Sequence, residues 1–475
     1  MRGALGGARR LWQGPGGMGE VLSIAYPLIL SQMSFTVQVF VDRLFLTWYS
    51  AEAVAGAVTG LFVTWSVVGL CIGTGEYTTT FVAQYYGARR FRRIGAALWQ
   101  GIYFSLIAGV LIAALTPFAG ALFEHTGHAA ALRQYETTYS RLLLRGSGPV
   151  VLMATLSSFF AGRGRTLPVL AVNVGATAVN AVLDYLLIFG HHGFPRWGVA
   201  GAAIATISSQ VFGCVAYLAL ILRAEHRREF ATLAAWRPKP ALLWRLLRYG
   251  VPAGLQFSIE IMAFAIFMVI IGRLGTAPLA ASGIAFNLNM IVFMPLLGIG
   301  LGVSSLVGRH VGAEQPETAE RSAYSAFRVG LVYLGACSAL YVLAPRLLLA
   351  PYAAGADPAS FAEVGRLAIV LLRFVAFYSL FDMMSVLFAA ALKGAGDTTY
   401  PLLATLVLSW TVMVIPSYLL CVHLGAGVYA AWTTAAAYCC AVGLLMLRRF
   451  RRGRWKSLRV IEAPVPELEP RTASA

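Results

Sequence analysis

Charge is what this chain has least of. Asp, Glu, Lys and Arg supply 12% of its 475 residues, while 59% are hydrophobic and the mean hydropathy is +0.72. An ordinary soluble domain runs about 45–50% apolar, so that class is excluded. Acids are the scarcer sign, 20 against 37 Lys and Arg, which leaves a formal charge of +17. Cysteine is sparse as well. Cys71, Cys214, Cys337, Cys421, Cys439 and Cys440 fall mostly in apolar runs and have no metal-ligand spacing, so neither a disulfide framework nor a structural metal is expected. The histidines sit mostly in loops (His125, His128, His191, His192, His226), and no Cys or Ser joins them in a catalytic pattern. The sequence therefore predicts no enzyme and no cofactor. Residues 1–17 are Gly- and Arg-rich and lack the apolar stretch and cleavage site of a signal peptide.

What the chain does have is long apolar runs, at roughly 20–48, 54–80, 93–119, 134–160, 166–190, 198–223, 241–272, 278–308, 318–345, 361–392, 398–423 and 427–448. Each is long enough to cross a bilayer as a helix, which needs about 20 residues. The sequence thus predicts an all-α polytopic membrane protein of about 12 spans. The basic residues fall in every second loop: Arg89 to Arg93, Arg163 and Arg165, Arg223 to Arg248, and Arg448 to Lys456. Alternate loops carry few, such as Arg196, Arg273 and Arg346. That asymmetry predicts cytoplasmic termini, and it assigns the positive charge to topology rather than to nucleic acid. The expected organisation is a tail over 1–19, six spans over 20–223, a linker over 224–240, six spans over 241–449, and a tail over 450–475. From Glu462 onward the tail is rich in Pro and Glu, a composition that predicts disorder.

The second half repeats the first. An offset of 225 residues lays Pro27 on Pro252, Ala55 on Ala280, Gly73 on Gly298 and Gly75 on Gly300. The same offset lays Val82 to Ala88 on Val307 to Ala313, and further on Gly164 and Thr166 meet Gly396 and Thr398. An even number of spans per repeat makes the two copies enter the membrane in the same direction. Two such bundles side by side leave a cleft, and transporters hold substrate in clefts of this kind near the bilayer midplane.

Carboxylates inside apolar spans are costly and must be neutralised, paired or ligated. Four stand out: Asp42, Asp184, Glu260 and Asp382. Asn173, Asn180 and Asp184 share one helical stripe, and Ser31, Gln38 and Asp42 share another. A sodium ion or a shared proton suits the place where two such stripes meet. In the second copy Gln256 precedes Glu260 by one turn, and Tyr378 and Ser385 flank Asp382. The acids are not repeat equivalents, so the two halves share a scaffold but not a polar site. Glu76 marks a helix end near solvent on this reading. Arg43 is a candidate partner for Asp42, and Arg373 or Lys393 for Asp382. Asn287 and Asn289 are candidates to line the cleft, and Pro27 and Pro252 to kink their helices.

Around these residues the chain resembles the multidrug and toxic compound extrusion (MATE) family, from about residue 20 to 450. The resemblance rests on Val41-Asp42, Val82-Ala83-Gln84 to Gly87-Ala88, Gly162-Arg163-Gly164, Asn180 to Gly190 and Gly198 to Ala203. In the second half it rests on Pro252 to Gln256 with Glu260, Gly272 to Gly275, Leu306 to Ala313 and Leu392 to Thr398. It implies two parallel six-helix lobes around a V-shaped cleft. It also implies export of organic cations or amphiphilic drugs driven by Na+ or H+ influx. The Arg- and Ala-rich composition points to a bacterial inner or sole plasma membrane, and a monomer is expected. Two sets of coupling residues are implied: Asp42, Asn180, Asp184 and Thr206 in one lobe, and Glu260, Tyr378 and Asp382 in the other. Pro27 matches a proposed hinge. The run Asp42-Arg43-Leu44-Phe45 departs from the family, whose members follow this aspartate with a threonine. A flippase for lipid-linked precursors is the alternative, carried by Arg141, Arg145 and Arg373.

Overall fold

The computed structural model describes residues 12–124, 129–354 and 358–462. His125 and His128 lie outside them, as does the tail beyond Glu462. Twelve spans follow in order. They are α1 (Met18–Tyr49), α2 (Ala51–Glu76 and Thr78–Gly87), α3 (Phe91–Ala114), α4 (Ala130–Arg145 and Ser147–Ala161), α5 (Leu167–Phe189) and α6 (Val199–Ile221). The second repeat comprises α7 (Pro240–Gly272), α8 (Thr276–Gly312), α9 (Pro316–Leu343), α10 (Pro358–Ala395), α11 (Thr399–His423) and α12 (Val428–Arg451). Ten are single helices apolar enough to span. The other two, α2 and α4, are bent by 40° and 48°. The bend in α4 falls at Gly146, and α11 relaxes into wider π-type turns on either side of Pro416, which supplies no amide hydrogen.

Contacts across the seam between the two repeats come in symmetry-related pairs, which makes the internal symmetry physical. A Cβ on Gly87 would lie 1.9 Å from the Arg309 carbonyl oxygen, and one on Gly312 would lie 2.1 Å from that of Gln84. Gly312 and Arg309 are the repeat equivalents of Gly87 and Gln84. Each contact is therefore the other's image, the signature of a two-fold relation. Gly73 against Gly254 and Gly298 against Ile29 form a second such pair. Ala83 touches its own equivalent, Gly308, so the pseudo-axis passes between them along the membrane normal. Backbones approach this closely toward the end that carries both termini, where Gly87 and Gly312 close their helices, and the two repeats flank a V-shaped cleft.

The second repeat is centred on Trp432, which is fully buried, donates to Ser282 Oγ at 3.0 Å and packs on Phe286 and Phe267. Trp432→Ala is expected to cost about 3–5 kcal/mol. A marked fall in the thermal unfolding midpoint in detergent would show it.

Residues 224–240 are more than a tether. They open with a short helix, Ala224–Phe230, and Phe230 is buried. Trp99 of α3 donates to the Thr232 carbonyl at 2.7 Å, and Gln100 accepts from the Lys239 amide at 3.1 Å. Glu462, expected to begin a disordered tail, is instead held by Tyr85, Arg90 and Arg245.

Candidate functional site: two acid clusters beside the cleft

α1 and α5 pack face to face, and their polar stripes meet. Asn173 donates to Ser31 Oγ at 2.5 Å, and Thr177 donates to the Ser34 carbonyl at 3.3 Å. Tyr217 also donates to Asn173 Oδ1, so Asn173 is satisfied within the protein. One turn outward the stripe changes character. Asp42, Asn180 and Asp184 are buried together, and Thr206 of α6 donates to Asp42 Oδ2 at 3.5 Å. Asp42 Oδ1, both oxygens of Asp184 and both polar atoms of Asn180 are buried and make no hydrogen bond of ordinary geometry, Asp42 lying against Asp184 and Asn180 as their nearest polar neighbour. Unpaired buried polar atoms are rare because each costs a few kcal/mol, and two carboxylates in one apolar site cost more. Hard oxygen donors gathered in this way fit either a small hard cation or a proton.

Tyr139 of α4 belongs to this cluster, and the sequence reading passed it by. It is buried, with Asp42, Asp184, Thr206 and Arg43 as its electrostatic neighbours. A tyrosine in an apolar run carries no signal by itself, and only the bend of α4 brings it here. Tyr139→Phe is expected to preserve folding and to lower transport about fivefold, the scale of one hydrogen bond. An efflux rate at matched expression measures it. Arg43 is near Asp42 but makes no ion pair with it among the described residues, and its own Nε is buried without a partner.

The second cluster differs in exposure. Glu260 on α7 and Asp382 on α10 are half-buried and are electrostatic neighbours, with Tyr378, Tyr438 and Cys439 close by. Lys393 faces Glu260 and Glu76, not Asp382, and Arg373 is exposed. Glu76 does end a helical segment, but the break is the single residue Tyr77 inside the bundle, so it is not at the solvent edge. Of the other polar residues, Gln38 and Gln256 are buried and Gln256 Oε1 lacks a partner. Asn287 is exposed and Asn289 half-buried on α8. Pro27 is buried in a continuous α1. Arg141 packs at Gly120 on the outer end of α3 and α4, away from the cleft floor. Among the described residues no group of three His, Cys, Asp or Glu has metal-site geometry.

Two like-folded bundles around a cleft, with buried carboxylates beside it, define a polytopic transporter architecture. The MatE family profile matches residues 27–186 and 252–419, one stretch in each repeat, and the chain belongs to this family of multidrug transporters. It is a transporter and not an enzyme. The probable multidrug resistance protein NorM of Burkholderia pseudomallei is 30% identical over 434 residues, 91% of this chain and 92% of that protein. A MOP-superfamily transporter from Pyrococcus furiosus, described as having a binding pocket of reversed polarity, superposes with a TM-score of 0.84 at 21% identity, over 95% of this chain and 98% of that one. A multidrug resistance MATE transporter in an outward-facing conformation gives 0.83 at 21% identity, over 95% and 98%.

Proposed function

We propose that the chain is an antiporter of the plasma membrane, with both termini in the cytoplasm, that exports organic cations or amphiphilic drugs by alternating access. Influx of Na+ or H+ drives it, and the coupling ion binds at Asp42, Asn180, Asp184 and Thr206, with Tyr139 beside them. The observation that carries this choice is the set of unpartnered buried oxygens on Asp42 and Asp184. They sit in a sealed site, where one proton or one cation changes the balance of charge most. Glu260 and Asp382 are half-buried, and Glu260 has Lys393 as a nearby counter-charge, which suits the pair to receive and release a cationic substrate. Lys393 is faced by two acids, Glu260 and Glu76, which does not suit it to hold the pyrophosphate that a lipid-precursor flippase would carry. A single chain suffices for transport in this scheme.

The test compares Asp184→Asn with Glu260→Gln. The first is expected to uncouple ion and drug movement, and the second to weaken drug binding while ion binding persists. Retained coupling in Asp184→Asn would move the ion site to the second repeat.

A further inference from the structure

The seam at the terminal end is symmetric in backbone but not in charge. On one side Glu20 of α1 is hydrogen-bonded to Arg309 of α8, with His310 Nε2 at 3.8 Å. The repeat equivalents of Glu20, Arg309 and His310 are Arg245, Gln84 and Tyr85. No acid stands among these three, so the second side cannot form the image of the first pair. The C-terminal segment supplies one. Glu462 accepts from Tyr85 at 2.7 Å and from Arg245, and Arg90 donates to its carbonyl at 2.9 Å. The Val460 amide donates to Gln84 Oε1 at 2.9 Å, while Gln84 Nε2 donates to the Gly394 carbonyl at 3.0 Å.

The rest of the segment is anchored on the second repeat. Trp455 is fully buried and stacks on Phe450 at 4.8 Å, and Val460 and Ile461 are buried. Arg459 pairs with Glu314 at 2.9 Å, and Lys456 with Glu317 and Glu320 at 2.9 and 2.6 Å. The segment is thus attached to α12 covalently and, by charge, to α9 and the turn that precedes it, and it reaches across to α2 of the first repeat. Opening the seam from this end must break the contacts to Gln84, Tyr85 and Arg90.

We propose that residues 452–462 form a latch whose Glu462 replaces the acid missing from the second repeat, holding the terminal end closed and releasing when the transporter opens there. Glu462 is held down at about 2, because the hydrogen bonds from Tyr85 and Arg245 outweigh the upward push of burial. The contribution of this lowered carboxyl is complete above the ordinary carboxylate range and is lost only as pH falls toward 2. With Tyr85, Arg90 and Arg245 facing it, and Arg93 near Tyr85, the latch does not switch near neutral pH.

The inference rests on alternating access but not on any substrate, so its test reads distance. Spin labels at Arg92→Cys and Gln315→Cys, in a full-length background without native cysteines, report the seam. The intact latch is expected to give one short distance. Glu462→Ala with Val460→Asp is expected to raise the long-distance population about tenfold, the scale of losing a charge-assisted hydrogen bond. Adding Gln84→Arg and Arg245→Glu recreates a direct pair like that of Glu20 and Arg309, and is expected to restore the short distance. A reducible crosslink between Arg90→Cys and Glu462→Cys should stop ethidium export until it is reduced. A distance distribution unchanged by the latch variants overturns the proposal. Full ethidium export by crosslinked protein overturns it too. No ethidium export by any variant, with the distance shift intact, would instead count against the drug-export reading.

Discussion

Asp184→Asn is expected to lower ion-driven drug export at least about 100-fold, since a ligand or proton shifts a two-state equilibrium only through the difference it makes between the states. Asparagine keeps the shape of the side chain and removes its charge. In the native site two carboxylates, Asp42 and Asp184, are buried together with unpartnered oxygens. Binding a proton or a cation there relieves the cost of confined like charge, and that relief is what the gradient can act on. With one carboxylate gone, the remaining Asp42 keeps Thr206 and Asn180 as neighbours and has far less to gain from the ion. Uptake of ethidium into everted vesicles under an imposed gradient measures the loss, with protein amount and thermal midpoint held equal to wild type.

The second large effect concerns closure, not chemistry. Gly87→Val is expected to reduce transport at least about tenfold while leaving each bundle folded. Its first side-chain carbon would lie 1.9 Å from the Arg309 carbonyl oxygen, an atom that no rotamer change can move aside. Overpacking of this kind costs about 1–3 kcal/mol or more when a backbone must shift. Here the repeats can escape by separating, so the cost falls on the closed state alone. Gly283→Ala in α8, where a Cβ would meet nothing within 4 Å, is the control and should transport normally. Equal losses in both variants would point to general helix destabilisation instead.

The fold was legible in the sequence because its main signals are long and redundant. Twelve apolar runs match the twelve spans to within a few residues at most ends. The 225-residue offset reappears as pairs of symmetry-related contacts. The stripe through Asn180 and Asp184 was legible because 3.6-residue periodicity alone puts both on one face. Three things were not. Tyr139 reaches the cluster through the bend of α4, and no periodicity encodes that bend's direction. Lys393 is a candidate partner for Asp382 by sequence, yet it faces Glu260 and Glu76, where the last turn of α10 packs against Tyr77, which donates to the Lys393 carbonyl. The order of Glu462 was hidden by composition. Pro- and Glu-rich stretches usually stay solvated, and here Tyr85, Arg90 and Arg245 outweigh that tendency.

The most direct test of the central claim is ion movement provoked by drug. Proteoliposomes containing wild-type protein, with a pH-sensitive dye or a sodium-sensitive dye trapped inside, would be given an outward-directed ethidium gradient and no ion gradient. Ethidium exit should draw protons or sodium inward through wild type, and through Glu260→Gln at a reduced rate, while Asp184→Asn moves neither ion. Ion uptake that persists undiminished in Asp184→Asn and vanishes in Glu260→Gln would contradict the assignment and place coupling at the second cluster.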